Sequence, residues 1–182
     1  MRAPDYFQPT LGWRVWLVVE DLGELRLASV MYPTVWEPRR EEIAYCRPGD
    51  PRHGQWQDET FVSHAGPHLA PHVRCGCGIY ASKSVELAAS YFDGYGPTMD
   101  QPAFPVIGRV SLWGRVIEGD RGYRASHGYP AHLYVPGRSL NGGSDVSPEE
   151  VALALTAYGV PVELLEGLTK RWVTDALVGR AA

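Results

Sequence analysis

No run in these 182 residues approaches the ~18 consecutive apolar positions that a membrane-crossing helix needs, so no membrane partner is expected. The opening stretch MRAPDYFQPT lacks the apolar core of a secretion signal, and a cytosolic protein is expected. A basic excess is missing as well: 17 Lys and Arg stand against 21 Asp and Glu, for a formal charge of −4. Binding along a phosphate backbone calls for the opposite balance, which argues against a nucleic-acid partner. Cysteine is scarce. Three unevenly spaced residues make no disulfide framework, and in the cytosol such thiols serve metal binding, catalysis or simple burial. What is present is ordinary for a folded domain, with 45% hydrophobic and 21% charged residues. A small ligand or a protein is the expected partner.

Period-two alternation predicts strands first. In GWRVWLVVEDLGELRLASV, Trp13, Val15, Leu17 and Val19 alternate with Arg14, Trp16 and Val18, and Leu25, Leu27 and Ser29 resume the pattern after a turn. EPRREEIAYC reads as a short helix or an irregular crossing, GIYA as a short strand, and FPVIGRVSLWGRVIEG as the clearest strand of all. RGYRASHGYPAHLYVPG reads as a turn and a short strand, AHLYV, and the stretch as a salt-bridged hairpin over the sheet. Trp16 and Trp113 read as core. SKSVELAASYF has helical spacing, with Ser82 or Ser84 as N-cap.

In the tail, SPEEVALALTAYG opens on Ser147 as N-cap with Pro148 at the first helical position, and Gly159 stops it. VELLEGLTKRWVTDALVG predicts a second helix with Leu165, Leu168, Trp172 and Ala176 as its apolar stripe. The two resemble a helix-turn-helix, but five acidic side chains against three basic ones exclude a DNA reader and leave a packing hairpin. The expected fold is therefore α+β: a mainly antiparallel sheet, one internal helix and a C-terminal helical hairpin. Residues 1–140 form the first unit and 141–182 the hairpin packed on it.

The stretch from 47 to 74 has no period and is rich in proline. It also holds His53, His64, His68 and His72, four of the chain's six histidines. So long a segment without a pattern is expected to be pinned by a metal or to carry function. Cys46 precedes it, and Cys75 and Cys77 close it. Thiolate and imidazole are the ligands zinc prefers, and a Cys3His set completes a structural site. Cys46, Cys75 and Cys77 with His68 are the expected zinc ligands. His68 lies in PHLAPH, where prolines can fold it back onto the Cys-Gly-Cys turn. The competing readings are thiols buried as small hydrophobes, or one of the pair as a nucleophile beside a histidine.

The run GCGIYASKSVELAASYF, followed by PVIGRVSLWGRVIE, resembles ADP-ribosyltransferases of the poly-ADP-ribose polymerase type. The matching positions are Gly76, Gly78, Ile79, Tyr80, Ser82, Lys83, Ser84 and Tyr91, then 110 to 114. The resemblance implies a nicotinamide pocket walled by Tyr80 and Tyr91, with a serine holding the amide and NAD as cosubstrate. The early histidine of that family is missing here, with Arg14 as its substitute, and no glutamate stands at the expected late position. The chain as a whole is similar to a family of actinobacterial and phage proteins sharing W-R-x-W, C-x-C-G-I-Y-A, L-W-G-x-V and G-Y-R-A, a likeness that carries no activity with it.

Independently of either likeness, Gly76 and Gly78 leave backbone uncovered, and the N-terminus of the following helix is expected to face the same side. Gly78, Tyr80, Ser82, Ser84 and Tyr91 are the expected ligand-binding residues of a cleft there. Two functions remain open: a zinc-supported binding or accessory domain, and an NAD-using transferase.

Overall fold

Alternating side chains over residues 10–21 build the long strand β1 (Thr10–Asp21), which turns at Leu22 and Gly23 into β2 (Glu24–Ser29). The computed structural model of the chain describes residues 8–32, 34–46, 54–57, 60–63, 68–91, 104–137, 146–165, 175 and 177–178. After β2 come β3 (Glu42–Ile43), β4 (Gly54–Gln57), β5 (Thr60–Ser63) and β6 (Ile79–Ser82). Helix α1 (Val85–Ala89) follows, then β7 (Phe104–Glu118) and β8 (Gly122–Pro136). Helix α2 (Pro148–Leu155), a 3-10 turn (Thr156–Tyr158) and β9 (Val162–Leu165) complete the described elements.

Seven of these strands form one sheet, and β4 and β5 pair separately as an antiparallel ribbon. Strand β1 pairs with β7 along one edge, and with β2 and β6 along the other. Strand β8 in turn pairs with β7, β6, β3 and β9. The pairings β1–β7–β8–β6–β1 therefore close a ring. Closure needs curvature, and the β7–β8 ladder shifts register between Trp113 and Val116. Gly114 sits in that shift at φ +75, and a Cβ there would meet the Ser126 hydroxyl.

Both faces of β1 are covered, which is why its apolar run is nearly continuous. Trp13, Val15, Leu17 and Val19 pack with Val85, Ala88 and Ala89 of α1. Trp16 and Val18 pack on the other side with Trp36, and with Val151 and Leu155 of α2. Trp16 meets Trp36 edge-on at 5.6 Å between ring centroids. Trp113 is half-buried, stacked 6.0 Å from His127.

Local signals served well where local chemistry decides. Ser147 caps α2 in a capping box, its hydroxyl accepting from the Glu150 N–H and its own N–H donating to the Glu150 carboxylate. Gly159 follows the 3-10 turn as its C-cap.

Four expectations are corrected. Residues 122–136 form one long strand rather than a turn and AHLYV, because β6, β7 and β3 supply partners along its first half. EPRREEIAYC, read as a short helix or an irregular crossing, is a turn followed by the two-residue β3, which leaves the crossing and discards the helix. The aperiodic 47–74 segment contains the β4–β5 hairpin.

The fourth correction concerns the tail. Val162–Leu165, expected as the start of a second helix, is strand β9, paired parallel with Leu133–Pro136, so the sheet is mixed. An open strand edge offers unpaired N–H and C=O groups, and satisfying them outweighs the modest helix preference of four residues. Residues 166–174 lie outside those described. Asp175, Leu177 and Val178 are helical, and Leu177 is buried in the core. Among the described residues no helix is long and apolar enough to cross a membrane.

The 3-10 turn is tied to the sheet by the Tyr129 hydroxyl, which donates to the Tyr158 carbonyl at 2.9 Å, and by the Tyr158 hydroxyl itself. Tyr158 accepts from the Leu27 N–H at 2.9 Å and donates to the Trp36 carbonyl at 2.5 Å. Tyr158→Phe strands a buried donor and a buried acceptor. It should cost about 1–3 kcal/mol and lower Tm by several degrees, read by thermal unfolding with circular dichroism.

Candidate metal centre and adjoining cleft

Four side chains converge just beyond β3 and before β6. The ligand atoms of Cys46, His68, Cys75 and Cys77 all lie within 4.8 Å of one another. The Cys46 and Cys75 sulfurs are 3.8 Å apart, and His68 Nε2 is 3.3 Å from the Cys77 sulfur. Tetrahedral bonds of about 2.3 Å to sulfur and about 2.0–2.1 Å to imidazole place sulfurs about 3.8 Å apart and a sulfur and a nitrogen about 3.5 Å apart. A disulfide would need about 2.05 Å, and none of the three cysteines is in one. These two distances and the close grouping of the four side chains are compatible with a metal site. The His72 ring lies 4.6 Å from that of His68, tilted by 36°, and is not one of the four clustered residues, while His53 and His64 lie outside the described residues.

Burial pushes the Cys46 thiol up to about 12, and the neighbouring Cys75 and Cys77 add to the rise. Burial likewise raises Cys77. Thiols so close together resist gathering negative charge unless a cation joins them, so metal uptake displaces protons.

The turn that carries the cysteines is held from β8. Arg124 donates from one terminal nitrogen to the carbonyls of His72, Cys75 and Cys77, the last at 3.3 Å. The Cys75 N–H closes the turn on His72 O at 3.1 Å, and the Tyr80 hydroxyl donates to Gly76 O at 2.5 Å. Gly78, at φ +131, has Pro71 and Arg124 each 3.1 Å from where a Cβ would stand. Only glycine passes there without strain.

Beyond Gly78 the backbone opens on a cavity of about 1420 Å³. Gly78, Tyr80, Ser82 and Tyr91 line it, as expected, and both tyrosines are partly exposed, at 44% and 37%. Ser84 instead caps α1, its hydroxyl accepting from the Leu87 N–H. With five residues α1 is too short to present the helix end expected for an anion.

The cavity also holds charged groups outside the expected ligand-binding set. Arg14 and Glu42 line it, and burial raises the Glu42 carboxyl above its ordinary value. One signal was available: Arg14 interrupts an apolar strand that is otherwise buried on both faces. Comparison with family models, with curated proteins and with solved structures found no match.

One Arg124 nitrogen serves all three carbonyls, so removing the guanidinium leaves the turn without that donor. Arg124→Met should therefore loosen the turn and weaken metal binding about 10–100-fold, measured by competition with a chromogenic chelator.

Proposed function

We propose that the chain is a cytosolic, zinc-supported binding domain that recognises a small ligand or a macromolecular partner through the cleft beside Tyr80. The observation that supports the zinc is the convergence of Cys46, His68, Cys75 and Cys77, with ligand atoms within 4.8 Å of one another. Three thiols and one imidazole form a closed set that leaves no position for substrate, which fits a structural ion rather than a catalytic one. The ion would anchor the segment before β6, and through Gly76 and Tyr80 it would hold one wall of the cleft.

A second reading, an ADP-ribosyltransferase-like enzyme using NAD, rests on Tyr80 and Tyr91 lining a single cavity with Ser82 and Arg14. The two readings separate in one titration. The binding domain predicts no nicotinamide release from NAD, whereas the enzyme predicts slow release that Tyr80→Ala abolishes. Nicotinamide release by the wild type would replace the first reading with the second.

Elemental analysis of purified protein should give about one zinc per chain, and Cys75→Ser should lower both metal content and solubility. Protein that is folded yet free of stoichiometric metal would sink the zinc. Zinc added to the metal-free protein at neutral pH should release protons from Cys46 and Cys77, whose thiols burial holds in the protonated form. Titration calorimetry in two buffers of different ionisation enthalpy measures that release.

A further inference from the structure

Two arginines on neighbouring strands stand in opposite situations. Arg26 of β2 meets three carboxylates, Asp21 at 3.4 Å and Glu24 and Glu37 at 2.9 Å each. Arg14 of β1 meets none within ion-pair distance among the described residues. Its Nη1 donates to the Tyr80 carbonyl at 2.6 Å and its Nη2 to the Ser29 hydroxyl at 3.1 Å, both neutral acceptors. Its Nε is buried with no hydrogen-bond partner, a feature it shares with Arg26, so the contrast lies in the carboxylates alone. The guanidinium lies 5.1 Å from the Trp36 ring centroid and 5.8 Å from that of Trp16.

A guanidinium has five N–H donors, and those two bonds use only two of them. Burying a cation is costly without an anion to face it. Consistently, burial draws Arg14 down to about 10, with Glu42 and Tyr91 offsetting this only in part across the cavity. Aromatic faces soften that cost but do not cancel the charge.

We propose that Arg14 is the anion-recognising residue of the cleft, and that the ligand is a small aromatic oxyanion, a ring carrying a carboxylate or a phosphate. This deepens the binding-domain reading and rests on the cleft being a ligand site. Each terminal nitrogen of Arg14 keeps a second N–H beyond its bond to Tyr80 or Ser29, and that pair suits either oxyanion. Tyr80 and Tyr91 line the same cavity and provide aromatic surface for the ring. Ser29, whose hydroxyl also accepts from the Trp36 indole N–H at 3.0 Å, fixes the guanidinium from behind.

The test uses the zinc-loaded full chain and three probes of similar size: benzoate, phenyl phosphate and the neutral benzamide. Titration calorimetry should find at least one anion binding about 10–100-fold more tightly than benzamide, the range a charge-assisted hydrogen-bond pair supplies. Whichever anion is preferred distinguishes carboxylate from phosphate. Arg14→Gln should remove that preference, bringing both anions to benzamide's affinity or below, and Arg14→Lys should retain part of it. The wild-type ratio needs no variant, so it stands even if Arg14→Gln fails to fold. Benzamide binding as tightly as both anions, or an anion preference that survives Arg14→Gln in a folded protein, would overturn the role of Arg14 and leave the cleft intact. No binding of any probe at millimolar concentration to folded protein would overturn the cleft as well.

Discussion

One guanidinium joins the two halves of the candidate site. Arg124 reaches from β8 to the carbonyls of His72, Cys75 and Cys77, so the turn that presents two of the four cluster ligands is referenced to the sheet. A charged donor facing several carbonyls is worth about 1.5–3 kcal/mol per good hydrogen bond, more than a neutral contact supplies. The same side chain stands over the Tyr80 ring at 5.9 Å, and Tyr80 in turn holds Gly76. The Cys3His cluster and the cleft wall are thus neighbours in one short hydrogen-bond network. Whatever loosens the turn is felt at Tyr80.

That network needs β8 to be in place, and β8 is placed by the closed ring of strands. Strand β7 serves β1 with its first half and β8 along most of its length. Strand β6, only four residues long, bridges β8 to β1 through the single pair Trp13 and Ser82. The side chains of β1 are divided between two cores, with α1 over one and α2 over the other. Arg14 belongs to neither core and lines the cavity beside Trp13 and Val15. A charged residue in a doubly covered strand is costly unless something it binds compensates, which is why its position is informative.

The sequence by itself determined the features that neighbouring residues can settle among themselves. The capping box of Ser147 and Glu150, the stop at Gly159, the hairpin of β1 and β2 and the long β7 are of this kind, since each depends on a turn or on a period read over a few residues. The cluster residues were also legible, because thiol and imidazole side chains concentrated around an aperiodic segment have a restricted chemistry. Tertiary structure decided what depends on distant partners. Val162–Leu165 became a strand because β8 had a free edge, and residues 122–136 ran on as one strand because three others bordered it. Ser84 was drawn into capping while Ser82 faced the cavity, a division that spacing alone does not make. The solitary charge of Arg14 could be known only once the carboxylates around it had taken their places. Hydrogen-bond partners and compensating charges are assigned by which segments the chain brings together, and no local pattern encodes that assignment.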